Sequence, residues 1–97
     1  MEKYLSFFKV ISDKTRLEIM MLLYKGEHCV CELEEILKIK QPNISKNLIM
    51  MKNLDFLSSR RDKNYIYYII NLKDPKLEKI FSTIIKNIEK DEGSLNN

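Results

Sequence analysis

The hydrophobic period of the chain changes at Leu54-Asp55, and that change limits the folds open to it. Upstream lie two short stretches of helical period separated only by Ile39-Lys40. The first, residues 31–38, carries Leu33, Ile36 and Leu37 inward. The second opens at Gln41-Pro42, with proline at the first helical position, where its missing N–H costs nothing. In that helix Ile44, Leu48, Met51 and, on a neighbouring line, Leu54 point to the core, and Asn43, Lys46, Asn47 and Met50 fall on the opposite side. Downstream, residues 57–61 read as a strand, Asp62-Lys63-Asn64 as a turn with Asn64 in its left-handed position, and residues 65–70 (YIYYII) as a β-rich return strand. Two short helices with a tight break, followed by a hairpin, make a winged helix-turn-helix.

The flanks complete it. Tyr4, Leu5, Phe8 and Ile11 recur at helical spacing in a short N-terminal amphipathic helix. Ser12 is the expected N-cap of a second helix over residues 13–24, with Asp13 in its first turn and Leu17, Met20, Met21, Leu23 and Tyr24 making it a core helix. Gly26 is expected to end it in a left-handed conformation. After Asp74-Pro75, the residues Leu77, Ile80, Phe81, Ile84, Ile85 and Ile88 form an i, i+3, i+4 stripe, and residues 91–97 look frayed. The expected fold is therefore mainly α with a small β-hairpin, in the order α-α-α-α-β-β-α, with residues 1–97 forming one domain. A chain of 97 residues buries a modest fraction of its surface, so a second copy completing the core is expected. No apolar run approaches the ~20 residues of a membrane span. Glu2, Lys3, Ser6 and Lys9 break up the N-terminus, unlike a signal peptide, so the expected location is cytoplasmic, with no membrane partner.

The net charge of +3 is unevenly spread: residues 1–37 sum to −2, residues 38–64 to +5, and residues 65–97 to zero. A localised basic stretch suits a polyanion, because neutralising phosphates releases counterions. An α-helix fits the major groove, and the outer face of the fourth helix offers Gln41, Asn43, Ser45, Lys46 and Asn47, with no acidic residue from Gln41 to Leu54. Amides suit adenine, and lysine suits guanine or phosphate. The hairpin adds Arg60, Arg61 and Lys63, placed to lie along the backbone or in the minor groove. Helix, wing and basic segment together point to double-stranded DNA, with no cofactor needed for binding it.

Cys29-Val30-Cys31 lies at the start of the third helix, where the helix N-terminus is expected to lower thiol pKa values. Soft sulfur ligands select thiophilic ions, and two cysteines at i, i+2 converge on one ion if the backbone turns sharply between them. Because this helix packs on the recognition helix, such a ligand and DNA would favour different conformations. Reversible oxidation of the pair, or a purely structural role, are the competing readings. His28 alone is weak evidence for a ligand.

The stretches Ser12-Asp13-Lys14-Thr15-Arg16-Leu17-Glu18-Ile19-Met20, Cys29-Val30-Cys31-Glu32-Leu33 and Gln41-Pro42-Asn43-Ile44-Ser45-Lys46-Asn47-Leu48, with Arg60-Arg61 before a Tyr-rich strand, resemble the ArsR/SmtB family over residues 4–88. The resemblance implies a homodimeric repressor paired through its first and last helices and released from DNA by metal ions. Cys-Val-Cys followed by an acidic residue and Leu looks like the arsenic/antimony-sensing subgroup, which implies As(III) or Sb(III) as inducer at Cys29 and Cys31. Where that subgroup often has a third Cys this chain has Glu34, and the N-terminal cysteines of cadmium and lead sensors and the Asp/His set of zinc sensors are missing. The chain also departs from the family pattern at Lys40, Asn47, Asp55-Phe56 and Lys63-Asn64.

An enzyme is disfavoured. The chain has one His, no Gly-rich phosphate loop, and no nucleophile–base–orienter set beyond His28 with the cysteines. A winged-helix protein-interaction module would not need Arg60, Arg61 and Lys63 beside an acid-free polar helix face. The remaining alternative is a regulator of the same fold controlled by cysteine oxidation or by no metal.

Overall fold

The computed structural model describes residues 1–96, with side chains through Glu92. Residues 91–96, expected to fray, continue the last helix instead, and residue 97 lies outside the described residues. The elements run α1 (Glu2–Ile11), α2 (Lys14–Lys25), β1 (His28–Cys29), α3 (Val30–Leu37), α4 (Gln41–Asn53), β2 (Leu57–Asp62), β3 (Tyr65–Ile70) and α5 (Pro75–Asn96). This is the expected order with one addition. The two-residue strand β1 joins the hairpin in a three-stranded antiparallel sheet, ordered β1-β3-β2.

Several ends differ from expectation, each for a local reason. Ser12 closes α1 instead of opening α2, its hydroxyl donating to the Lys9 carbonyl at 2.7 Å. Asp13 is the N-cap of α2, its carboxylate accepting from the Arg16 N–H at 3.0 Å. The Arg16 guanidinium turns back to the Val10 and Lys9 carbonyls, satisfying the C-terminal end of α1. Gly26 has φ 174°, which is extended backbone and not left-handed. The left-handed residues are Lys38, which ends α3, Asp55, before β2, and Lys63. At the wing turn Lys63, not Asn64, takes the positive φ.

The core gathers Phe7 and Val10 from α1, Ile19, Met20 and Leu23 from α2, Leu33 from α3, Ile44, Leu48 and Met51 from α4, and Leu77, Phe81 and Ile85 from α5. Phe7 is its hub, meeting Phe56 and Phe81 edge-to-face at centroid distances of 5.6 and 5.8 Å. Leu5 and Phe8, assigned to the α1 apolar stripe, remain 55% and 46% exposed in the single chain. Ile36 and Leu54, expected inside, are also exposed, whereas Met50, expected outside, is half-buried. The Lys25–Glu89 ion pair and the Tyr24 hydroxyl, donating to Glu78 at 3.1 Å, tie α2 to α5. Among the described residues no helix is long and apolar enough to cross a membrane.

Candidate nucleic-acid interface and cysteine site

Helix α4 sits on the core through Ile44, Leu48 and Met51, which turns Gln41, Asn43 and Lys46 outward. Ser45 is half-buried and accepts from the Gln41 amide at 2.9 Å. Asn47 departs from expectation. It is 5% exposed, and its amide donates to the Asn43 carbonyl and to Asn43 Oδ1 at 2.9 and 3.1 Å. A buried amide bonded one turn back along its own helix braces that helix and presents no edge to a partner. The exposed residues of α4 are thus Gln41, Pro42, Asn43 and Lys46, extended by Ile49, Lys52 and Asn53.

On the wing, Arg61 and Lys63 are exposed, and Arg61 Nε donates to the Lys63 carbonyl at 3.2 Å. Arg60 is engaged differently. Its guanidinium grips both carboxylate oxygens of Glu27 and lies over the Tyr67 ring, 4.8 Å from the centroid. The Arg60 bond holds the Glu27 carboxyl below its ordinary range. Sheet register explains the arrangement: Arg60 pairs with Tyr67, and Tyr67 pairs with Cys29 on its other side. Glu27 carried no signal in a linear reading, because it comes beside Arg60 only once the neighbouring β1 is recognised as a strand.

Cys29 occupies the N-cap of α3 in a capping box with Glu32 at N3. The Cys29 N–H donates to Glu32 Oε1 at 2.9 Å. This role of Glu32 was legible in principle, since the Cys-x-x-Glu spacing is that of a capping box with sulfur in place of a hydroxyl. Both cysteines are free, Cys29 buried and Cys31 exposed, with their sulfurs 2.7 Å apart. The lowered thiol pKa expected from the helix N-terminus is not found at Cys29. Burial first, and then the contact with Cys31, push that thiol up to about 11. His28 Nδ1 pairs with the Gly26 carbonyl at 2.9 Å. Among the described residues no group of three or more His, Cys, Asp or Glu side chains is arranged to hold a metal ion.

The cysteines open onto a cavity of about 540 Å³ whose other walls include Val30 and Glu34 of α3, Gln41, Ser45 and Ile49 of α4, and Asn64, Tyr65 and Ile66 at the tip of the wing. The fold thus brings Cys29, Cys31, Gln41 and Ser45 around one space, and leaves Lys46, Arg60, Arg61 and Lys63 outside it.

Residues 13–59 match the family described as bacterial regulatory protein, arsR family. The arsenical resistance operon repressor of Staphylococcus aureus is 32% identical over 83 residues, covering 86% of this chain and 74% of that protein. The arsenic resistance transcriptional regulator ArsR1 of Pseudomonas putida is 36% identical over 70 residues, 71% of this chain. The matched stretch spans only 55% of the Pseudomonas protein's own length. Among solved structures, the AntR antimony-specific transcriptional repressor superposes with a TM-score of 0.78 at 27% identity, covering 95% of this chain and 82% of that one.

Proposed function

The chain belongs to the arsR family of bacterial regulatory proteins, and from that premise we propose that it is a DNA-binding transcriptional repressor released by a thiophilic ligand at Cys29 and Cys31. Gln41, Asn43, Ser45 and Lys46 read or grip the major groove, and Arg61 and Lys63 hold phosphate from the wing, with Arg60 joining them when it leaves Glu27. The protein works as a homodimer through α1 and α5, a pairing that would cover the exposed Leu5 and Phe8. Two relatives are named for arsenic or arsenical resistance and a third for antimony specificity, and trivalent forms of either element suit a pair of soft sulfurs.

One observation carries this reading. The cavity that holds both sulfurs is walled by the recognition helix and the wing, so a ligand there sits where the two DNA-facing elements meet. Capture of the Cys29 sulfur also competes with its place in the α3 capping box, loosening the helix that supports α4. The DNA half of the proposal is tested by the salt dependence of duplex binding. The logarithm of the binding constant should fall linearly with the logarithm of salt concentration, and binding indifferent to salt would refute it.

The 2.7 Å approach of the sulfurs favours a second reading, control by reversible oxidation of the pair. It requires peroxide alone to release DNA and a reductant to restore binding.

A further inference from the structure

Helix α4 carries an aliphatic side chain in the middle of its outward, acid-free face. Its inward line is Ile44, Leu48 and Met51, all fully buried. At about 100° per residue, Ile49 falls on the other side of the helix, roughly 130° from the middle of that line. It is 55% exposed. A lone exposed aliphatic residue is ordinary, but the neighbours of this one give it a place. Ser45 and Lys52 lie to one side of it, Lys46 and Asn53 to the other, each three or four residues away along the helix. The two lysines therefore stand about 60° to either side of Ile49. Both are exposed, and Lys52 Nζ donates to Ser59 Oγ of β2 at 2.5 Å. The chain leaves Ile49 open, and on the Ser45 side it borders the space between α4 and the tip of the wing.

A helix seated in the major groove meets the two phosphate walls with its flanks and the base edges with the line between them. With lysines on the flanks, the residue between them is the one that reaches the bases. The side chain of Ile49 has no hydrogen-bonding group, so the donor and acceptor code of the groove is closed to it. What suits it is the 5-methyl group of thymine.

We infer that Ile49 is a specificity-determining residue that packs on a thymine methyl in the major groove. This contact rests on the reading of α4 as the recognition helix, and adds an apolar element to its polar ones. Lys46 and Lys52 place the helix between the strands without reading sequence. Ile49 turns that placement into a preference, because cytosine lacks the methyl and offers no equivalent apolar surface to remove from water.

The test uses a duplex from the protein's own promoter region and replaces each thymine in turn by deoxyuridine, which keeps the pairing and removes only the methyl. Binding of the wild type and of Ile49→Ala is followed by anisotropy. For the wild type, one thymine in each half-site should cost about fourfold in affinity when its methyl is lost, the scale of one buried methyl group. Ile49→Ala should bind the unmodified duplex more weakly by a similar factor. It should be indifferent to that one replacement, and keep the wild-type response at every other thymine. Its unfolding in urea should match the wild type, since the residue is exposed, which separates lost contact from lost fold. Wild-type binding indifferent to every replacement, or equal losses in both proteins, overturns the inference while leaving α4 as the recognition helix. Absence of salt-dependent duplex binding by the wild type removes the DNA reading itself, and this contact with it.

Discussion

Cys29 Sγ stands 2.7 Å from Cys31 Sγ while the Cys29 backbone N–H is held by Glu32, so the residue that begins α3 also carries one of the two paired sulfurs. In the proposed function the start of the first helix of the helix-turn-helix and the ligand site share this residue.

That double role predicts different outcomes at one position. Cys29→Ser keeps a side-chain acceptor at the N-cap and should leave unfolding by urea close to that of the wild type. Cys29→Ala removes the acceptor and should cost about 1 kcal/mol, the usual value of an N-cap. Equal stability of the two variants would show that the capping box contributes nothing.

Lys46 and Asn47 are neighbours in sequence with opposite surroundings. Lys46→Ala should weaken binding to all duplexes and reduce the salt slope by about one. Asn47→Ala, which removes a buried amide bonded to Asn43, should lower thermal stability while leaving the salt slope unchanged. A loss of base preference in Asn47→Ala at undiminished stability would return that residue to the reading face.

In the proposed DNA complex, Glu27 would compete with phosphate for Arg60. Glu27→Gln removes the charge that grips the guanidinium, so DNA binding should tighten modestly and the salt slope should steepen by about one. Weaker binding would mean instead that Glu27 holds Arg60 in its DNA-bound position.

The Lys3–Asp74 pair ties α1 to the start of α5. Hydrogen bonding to Lys3, and then to the Lys76 N–H, holds the Asp74 carboxyl below its ordinary 3.8. A depressed carboxylate contributes stability that is present above its unfolded pKa and is lost as pH falls through the folded value. Lys3 is raised above 10.5 by the same hydrogen bond to Asp74, so its contribution is present below that value and lost as pH rises through the folded one. Asp74→Asn should therefore be destabilising near pH 7 and converge on the wild type in acid, as pH falls through the lowered carboxyl range of the folded state. High salt should shrink the difference, because the Lys3 end of the pair is exposed to solvent. A deficit independent of pH would show that the charge of Asp74 is not its cause.

Much of this protein was legible where one chemical rule governed a whole segment. Gln41-Pro42 opens α4 because proline tolerates the first helical turn, and the stripe of α5 carries its own period. The sequence was silent where partners come from distant segments. The strand β1 is two residues long, with no alternation to detect, and exists because β3 offers it a partner. Arg60 looked free until that strand brought Glu27 alongside. Asn47 reads as a polar residue on a polar face, and only its bonds to Asn43 show that it faces inward. Leu5 and Phe8 follow the opposite logic: helical spacing marked them as buried, and the single chain leaves them uncovered.

The most direct measurement of the central claim compares the wild type with the Cys29→Ser, Cys31→Ser double variant, both reduced and bound to duplex DNA from the protein's own promoter region, as a trivalent arsenical is added and anisotropy is followed. The wild type should leave the DNA at near-stoichiometric ligand, and the double variant should bind the same DNA equally well and stay on it. Release of both proteins alike, or of neither by any thiophilic ligand, would contradict the assignment of Cys29 and Cys31 as the switch.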